Sequence, residues 1–205
     1  MASRTTEAPQ DPEELEEPQD LEAQEDDEPE LPPELAARRA AALAHVRKYG
    51  DPVLKTKSRT VDRFDDALIE QVRRMGELMT DALGVGLAAN QVGVLNRVLV
   101  YRVQQQAPVA ALVNPEIEWH GDEAETLEEG CLSLPGVHVD VERAVHIRVR
   151  AQDEHGEPVT VEATGLEARV IQHEMDHLDG TLVFDRISRA QRKEAMKAMR
   201  EALPV

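Results

Sequence analysis

Gly165-Leu166-Glu167-Ala168-Arg169-Val170-Ile171-Gln172-His173-Glu174-Met175-Asp176-His177-Leu178-Asp179-Gly180 is the stretch from which the fold can be read outward. Leu166, Val170, His173 and His177 follow one another at spacings of four, three and four, so all four project from one side of a helix. Asp179-Gly180 stops that helix. His173 and His177 are one turn apart, so both imidazoles can reach one point in space and share one metal ion. Glu174 lies between them in sequence but projects off their axis. That position suits a general base facing a metal-bound water rather than a ligand.

On the N-terminal side, Val145, Ile147 and Val149 alternate as in a half-buried strand, and Asp153 to Gly156 turns the chain into a further strand around Val159 to Val161. Arg97 to Val103 reads as another half-buried strand. Further upstream, Phe64, Leu68, Ile69, Val72, Met75, Leu78, Met79 and Leu83 recur at threes and fours along one helical face, with Gly84 as the helix stop. Residues 34–48 are Ala-rich and predict a helix ending before the turn Gly50-Asp51-Pro52. Ser188 to Leu203 alternates Lys and Arg with Ala, Met and Leu and predicts an amphipathic terminal helix. Strands mixed with segregated helices, without regular alternation, predict an α+β domain. Mixed antiparallel sheets would surround a central metal-binding helix, with a C-terminal helix closing the chain.

The net charge of -18 over 205 residues is unevenly placed. Residues 1–35 hold 14 acidic residues and one base, Arg4, in a run of Glu, Asp, Pro and Gln too poor in apolar surface to offset chain entropy. They predict an acidic disordered tail, leaving 36–205 as one catalytic domain. No basic stripe marks a nucleic-acid groove. The single cysteine excludes an internal disulfide, and the acidic start resembles neither a secretory signal nor a transit peptide. No apolar run approaches the roughly 20 residues that span a bilayer. A soluble cytoplasmic protein with no membrane partner is the expectation.

A catalytic site of this kind wants three protein ligands and an open position. No histidine follows His177, and downstream only Asp179 and Asp185 lie close enough to serve. Cys131 is the stronger candidate, because a thiolate binds divalent iron or zinc well. Its surroundings, Glu129-Gly130-Cys131-Leu132-Ser133-Leu134-Pro135-Gly136, form a tight irregular segment ill-suited to simple core packing. A third segment, Gly84-Val85-Gly86-Leu87-Ala88-Ala89-Asn90-Gln91-Val92-Gly93, nearly fits the dinucleotide glycine spacing. Its context is wrong for that, since a helix precedes it and a strand follows. The other reading is that its glycines let the backbone approach a substrate while Gln91 points its amide at a carbonyl oxygen.

Taken together and in this order, Gly84–Gln91, Glu129–Ser133 and Gln172–His177 resemble the peptide deformylase family of bacterial type, over roughly residues 44–190. The resemblance implies an enzyme that hydrolyses the N-formyl group from the N-terminal formylmethionine of nascent polypeptides and releases formate. It implies Cys131, His173 and His177 as metal ligands, Glu174 as the acid/base residue, and Gln91 with the Leu132 backbone amide as holders of the formyl oxygen. The implied metal is Fe2+, with Zn2+ or Ni2+ as alternatives, and the implied partners are N-formylmethionyl nascent peptides at the ribosome. Val85, Gly86, Leu127, Glu129, Leu166 and Val170 correspond to substrate-binding positions, and Arg143 to an arginine that pairs with Asp176 and supports the ligand helix. Two features depart from the family pattern: the acidic tail, and Arg169, which stands where some members carry an apolar residue.

Three other readings fit parts of the pattern. The two histidines and the glutamate alone suit a zinc peptidase. Cys131 beside a histidine suits a cysteine hydrolase. The acidic tail suits a non-catalytic docking protein.

Overall fold

The computed structural model describes residues 31–202. Its helices are α1 (Pro33–Leu43), α2 (Asp66–Asp81), α3 (Gly165–Leu178) and α4 (Arg189–Ala202). Its strands are β1 (Gly86–Ala88), β2 (Val98–Tyr101), β3 (Ala110–His120), β4 (Ala124–Cys131), β5 (Leu134–Ala144), β6 (His146–Gln152) and β7 (Pro158–Thr164). Short 3-10 turns at Pro52–Lys55, Ala89–Val92 and Val183–Asp185 complete the path. The strands pair antiparallel in a five-stranded sheet of order β1-β2-β3-β6-β7 and a hairpin β4-β5. Fold class and terminal helix are as the sequence predicts.

Helix α3 lies at the centre, and its buried Val170, Ile171, Met175 and Leu178 pack with Leu99, Tyr101, Ile147 and Val149 from the five-stranded sheet. On the other side of β2, Val98 and Val100 join Leu68, Val72, Met75 and Met79 of α2. Strand β2 is thus buried on both faces, not half-buried as its sequence suggested, because α2 and α3 each cover one. The hairpin makes a third cluster. Val137, Val139 and Val141 of β5 point inward, with His138, Asp140 and Glu142 outward, and pack against Phe184 and against Ala195 and Met199 of α4.

Three boundaries differ from expectation. The expected acidic tail lies, through residue 30, outside the described residues, and Pro33, Glu34 and Leu35 already begin α1. Helix α1 ends at Leu43 rather than near 48: the Ala44, His45 and Val46 amides still turn back onto Ala40 O, Ala42 O and Leu43 O, and beyond them Arg47 N donates to Gln91 O (2.7 Å) and Tyr49 N to Ser133 O (2.9 Å). Helix α2 ends at Asp81, and its left-handed stop falls one residue before the expected Gly84. Leu83 takes the left-handed conformation (φ 59°), while the Gly84 N–H bonds back to Met79 O at 2.9 Å. Gly84 serves a different need, since a Cβ there would meet Leu132 Cδ1 at 3.0 Å.

No helix among the described residues is long and apolar enough to cross a membrane. The stop of α3 is as predicted: Gly180 sits at φ 73°, and a Cβ on it would lie 2.7 Å from Lys55 O. Both the left-handed backbone and the contact forbid a side chain. Gly180→Ala is therefore expected to cost about 2 kcal/mol or more. Equilibrium urea unfolding measures it, and an unchanged midpoint would contradict the packing described.

Candidate active site

The hairpin and α3 meet at the ligand group. Cys131 ends β4 and pairs with Leu134 of β5, leaving Leu132-Ser133 as a two-residue tip. Its sulfur therefore sits on an ordered strand end, and the irregularity read from the sequence is a shift of register between Gly130 and Cys131. Cys131 Sγ lies 3.2 Å from His177 Nε2, and one ligand atom from each of Cys131, His173 and His177 falls within 4.8 Å of the others. This group could hold a metal ion.

The donor chemistry fits such an ion. His173 Nδ1 lies 2.9 Å from Glu129 Oε2, a contact that puts the ring proton on Nδ1 and turns Nε2 to the group. Burial lowers the basicity of the His173 ring, but hydrogen bonds to Cys131 and Glu129 outweigh it and hold its pKa well above the ordinary value. His177 is held well below the ordinary value by burial and by the charge on His173. A thiol and two imidazoles thus converge beside a carboxylate, a donor set that suits a divalent cation.

Glu129 is held from three sides. Arg143 donates to it twice, Nε to Oε1 at 2.9 Å and Nη2 to Oε2 at 3.0 Å, and Arg169 Nη1 donates to Oε1 at 2.8 Å. Burial pushes its carboxyl up, but the bonds from His173 and Arg143 outweigh this and bring it to about 2. Arg143 Nη1 also donates to Asp176 Oδ2 at 2.6 Å, the expected pairing, and Arg186 donates to the same carboxylate. Arg169 reaches two carbonyls as well, Val141 O at 2.8 Å and Glu125 O at 2.6 Å. In the sequence Arg169 stood out only as a departure; here its guanidinium is spent on the hairpin.

Glu174 is buried with its carboxyl against Gly86, where a Cβ would come within 2.5 Å of Oε1. Its Oε2 has no hydrogen-bond partner among the described residues. Burial, aided by the negative charge of Glu129 against the opposing His173, raises its pKa to about 7. Gln91 accepts the Ala88 N–H through Oε1 (2.8 Å), which turns its Nε2 toward Ser133 Oγ (3.2 Å) and Cys131 Sγ (3.7 Å).

These groups open onto a cleft of about 390 Å³. Its wall includes Val85, Gly86, Gln91, Glu129, Cys131, Leu132, Leu166, Val170, His173 and Glu174, all singled out in the sequence. Leu127 is not among them; it lies half-exposed on β4, opposite Val141. His177, Arg143 and Asp176 sit behind the wall. Sequence reasoning missed Lys48, whose Nζ donates to Leu132 O (2.9 Å), and Asn90, whose Nδ2 donates to His177 O. No spacing rule links these remote positions. The downstream carboxylates are otherwise engaged, Asp179 by Arg97 at 2.8 Å and Asp185 by Lys55 and by the Leu182 N–H.

A helix bearing two histidines and a free buried glutamate, met by a cysteine from a hairpin, defines a hydrolase-type centre fitted for a divalent metal. The family model described as polypeptide deformylase matches residues 43–193. A peptide deformylase of Acidothermus cellulolyticus is 47% identical over 161 residues, covering 78% of this chain and 88% of its own. One from Thermotoga maritima is 48% identical over 150 residues, 73% and 90% of the two chains. Among solved structures, a peptide deformylase from Synechococcus elongatus in complex with actinonin shares 42% identity at a TM-score of 0.72, covering 78% of this chain and 91% of that one. The chain belongs to the peptide deformylase family.

Removing Arg143 would leave two buried carboxylates without their shared partner. Arg143→Ala is expected to cost about 3 kcal/mol, because an uncompensated buried charge is worse than an absent pair. Chemical denaturation measures this, and a loss below about 1 kcal/mol would show that Arg169 and Arg186 suffice.

Proposed function

We propose that this chain is a metal-dependent amidohydrolase that removes the N-formyl group from the N-terminal formylmethionine of nascent polypeptides and releases formate. The observation that carries the reading is the buried, unpartnered carboxyl oxygen of Glu174 beside the Cys131–His173–His177 group. Cys131, His173 and His177 would hold the ion, which we take to be Fe2+, with Zn2+ or Ni2+ as substitutes. When bound, such an ion lowers the pKa of water and polarises the carbonyl oxygen.

The chain's own groups do the rest. Glu174 takes the proton of the attacking water and delivers it to the leaving amine nitrogen, and its close fit against Gly86 limits where that carboxyl can move. Gln91 Nε2 and the Leu132 amide receive the formyl oxygen, each donor worth about 3 to 4 kcal/mol in comparable sites. Val85, Leu166 and Val170 give the methionine side chain an apolar wall. Glu129, held by Arg143 and Arg169, keeps His173 in the ligating tautomer. On this reading the enzyme works in the cytoplasm on chains emerging from the ribosome.

The zinc peptidase reading is not favoured, since the two downstream carboxylates are engaged by Arg97 and Lys55. The cysteine hydrolase reading gives the free Glu174 carboxyl nothing to do.

The test is anaerobic purification, metal analysis, and formate release from a formyl-methionyl peptide. One bound metal and stoichiometric formate are expected. Activity that survives complete metal removal would overturn the reading. Glu174→Ala is expected to keep the metal and lose turnover about 10²- to 10⁴-fold; near-normal activity would mean the wrong base. Gly86→Ala should also lower kcat, because the added methyl displaces the Glu174 carboxyl. Full activity in that variant would show that the close fit is not needed.

A further inference from the structure

Helix α1 precedes the segment shared with the family, which begins at residue 43, yet it supplies part of the cleft wall. Arg39 and Leu43, one turn apart on the helix, stand in that wall together with Lys48. The helix is fixed in place on its other face: Arg38 is ion-paired with Asp81 at the end of α2, and Ala42 is buried. Arg39 itself is exposed and makes no ion pair among the described residues. Lys48 is half-buried, and its one side-chain hydrogen bond among the described residues, to Leu132 O at 2.9 Å, leaves two ammonium hydrogens for another acceptor. Burial lowers the pKa of Lys48, the nearby Cys131 sulfur opposes this, and the charge of Arg39 adds a smaller lowering. An anion placed between Arg39 and Lys48 would oppose that lowering.

A peptide with its first residue at Cys131 and His173 has only that end enclosed, and the remainder must leave along the wall. We propose that Arg39 and Lys48 form an anion-binding subsite in the cleft wall, beside the hairpin tip, which takes a carboxylate of the peptide downstream of its first residue. The proposal rests on the deformylase reading of the cleft. The carboxylate belongs either to an Asp or Glu side chain or to the C-terminus of a short peptide. Arg39 lies before the residues that the family model matches. Leu43, one turn further along the helix, lines the same wall.

The test uses the full, metal-loaded chain and formyl-methionyl tetrapeptides. One is neutral and C-terminally amidated. Three carry Asp at the second, third or fourth position, and one is neutral with a free C-terminal carboxylate. At about 20 mM salt, one Asp position or the free carboxylate is expected to lower KM about two- to fivefold against the neutral amide, and about 0.3 M salt should remove the difference. Arg39→Glu should invert the ratio of acidic to neutral KM. Arg73→Glu, the same charge change on the exposed face of α2, should keep the wild-type ratio. An acidic-to-neutral ratio unchanged in Arg39→Glu overturns the subsite while leaving the deformylase reading intact. No formate from the neutral amide with metal-loaded wild-type enzyme overturns both.

Discussion

Glu129 accepts hydrogen bonds from Arg143, Arg169 and His173 while almost fully shielded from water. An unpaired carboxylate in that position would cost several kcal/mol, so the surrounding donors are a condition of the fold. They come from three places: Arg143 from β5, and Arg169 and His173 from successive turns of α3. The ion cluster therefore fastens the hairpin to the central helix, and the apolar seams of the two clusters on either side need not do so alone. Asp176 extends the same arrangement one turn along α3, where Arg143 is shared and Arg186 closes the end. Because His173 is both part of this cluster and one of the ligand group, whatever holds the hairpin on the helix also orients the ring.

The opposite side of the site is set by the absence of side chains. Gly86 leaves room for the Glu174 carboxyl, and Gly84 leaves room for Leu132. Between them the backbone of β1 comes close enough for Gln91 to bond the Ala88 amide and turn its own N–H groups toward the sulfur. Charge and hydrogen bonding fix one wall, and close approach fixes the other. A carboxyl confined between them has one oxygen free and a raised pKa, since burial disfavours its charge.

Helix α3 was legible because both its apolar stripe and its histidines obey the same period, and α2 because its stripe runs unbroken. The hairpin was not read as strands, although Val137, Val139 and Val141 alternate with His138, Asp140 and Glu142; the glycines and proline around Cys131 drew attention to irregularity instead. Strand β3 hides its pattern behind two register shifts, one at Asn114, which is left-handed at φ 54° and bonds both backbone groups of Val61. The burial of β2 on both faces, the early end of α1 and the position of Leu127 outside the cleft wall are consequences of tertiary packing. No local propensity encodes them. Arg169 shows the same limit: a buried arginine in an apolar stripe looks like an error until the carboxylate it meets, 40 residues earlier, is in view.

The cysteine raises a separate physical problem, because a ligand at a hairpin tip is ordinarily less well placed than one on a helix. Here the tip is bound from outside the hairpin. The Tyr49 amide donates to Ser133 O, Lys48 Nζ donates to Leu132 O, and Gln91 Nε2 reaches Ser133 Oγ. The Gln91 carbonyl in turn accepts the Arg47 amide, so residues 47–49 brace the tip and the 3-10 turn after β1 together. Helix α1 stops at Leu43 although its composition favours more helix: after three amides that turn back onto its last turn, those of Arg47 and Tyr49 leave it for Gln91 and Ser133. The bracing also gives Leu132, whose amide we propose for the formyl oxygen, a fixed position. The segment from Leu43 to Tyr49 carries no catalytic motif, yet it determines whether Cys131 stands at the distance from His177 that a shared ion requires.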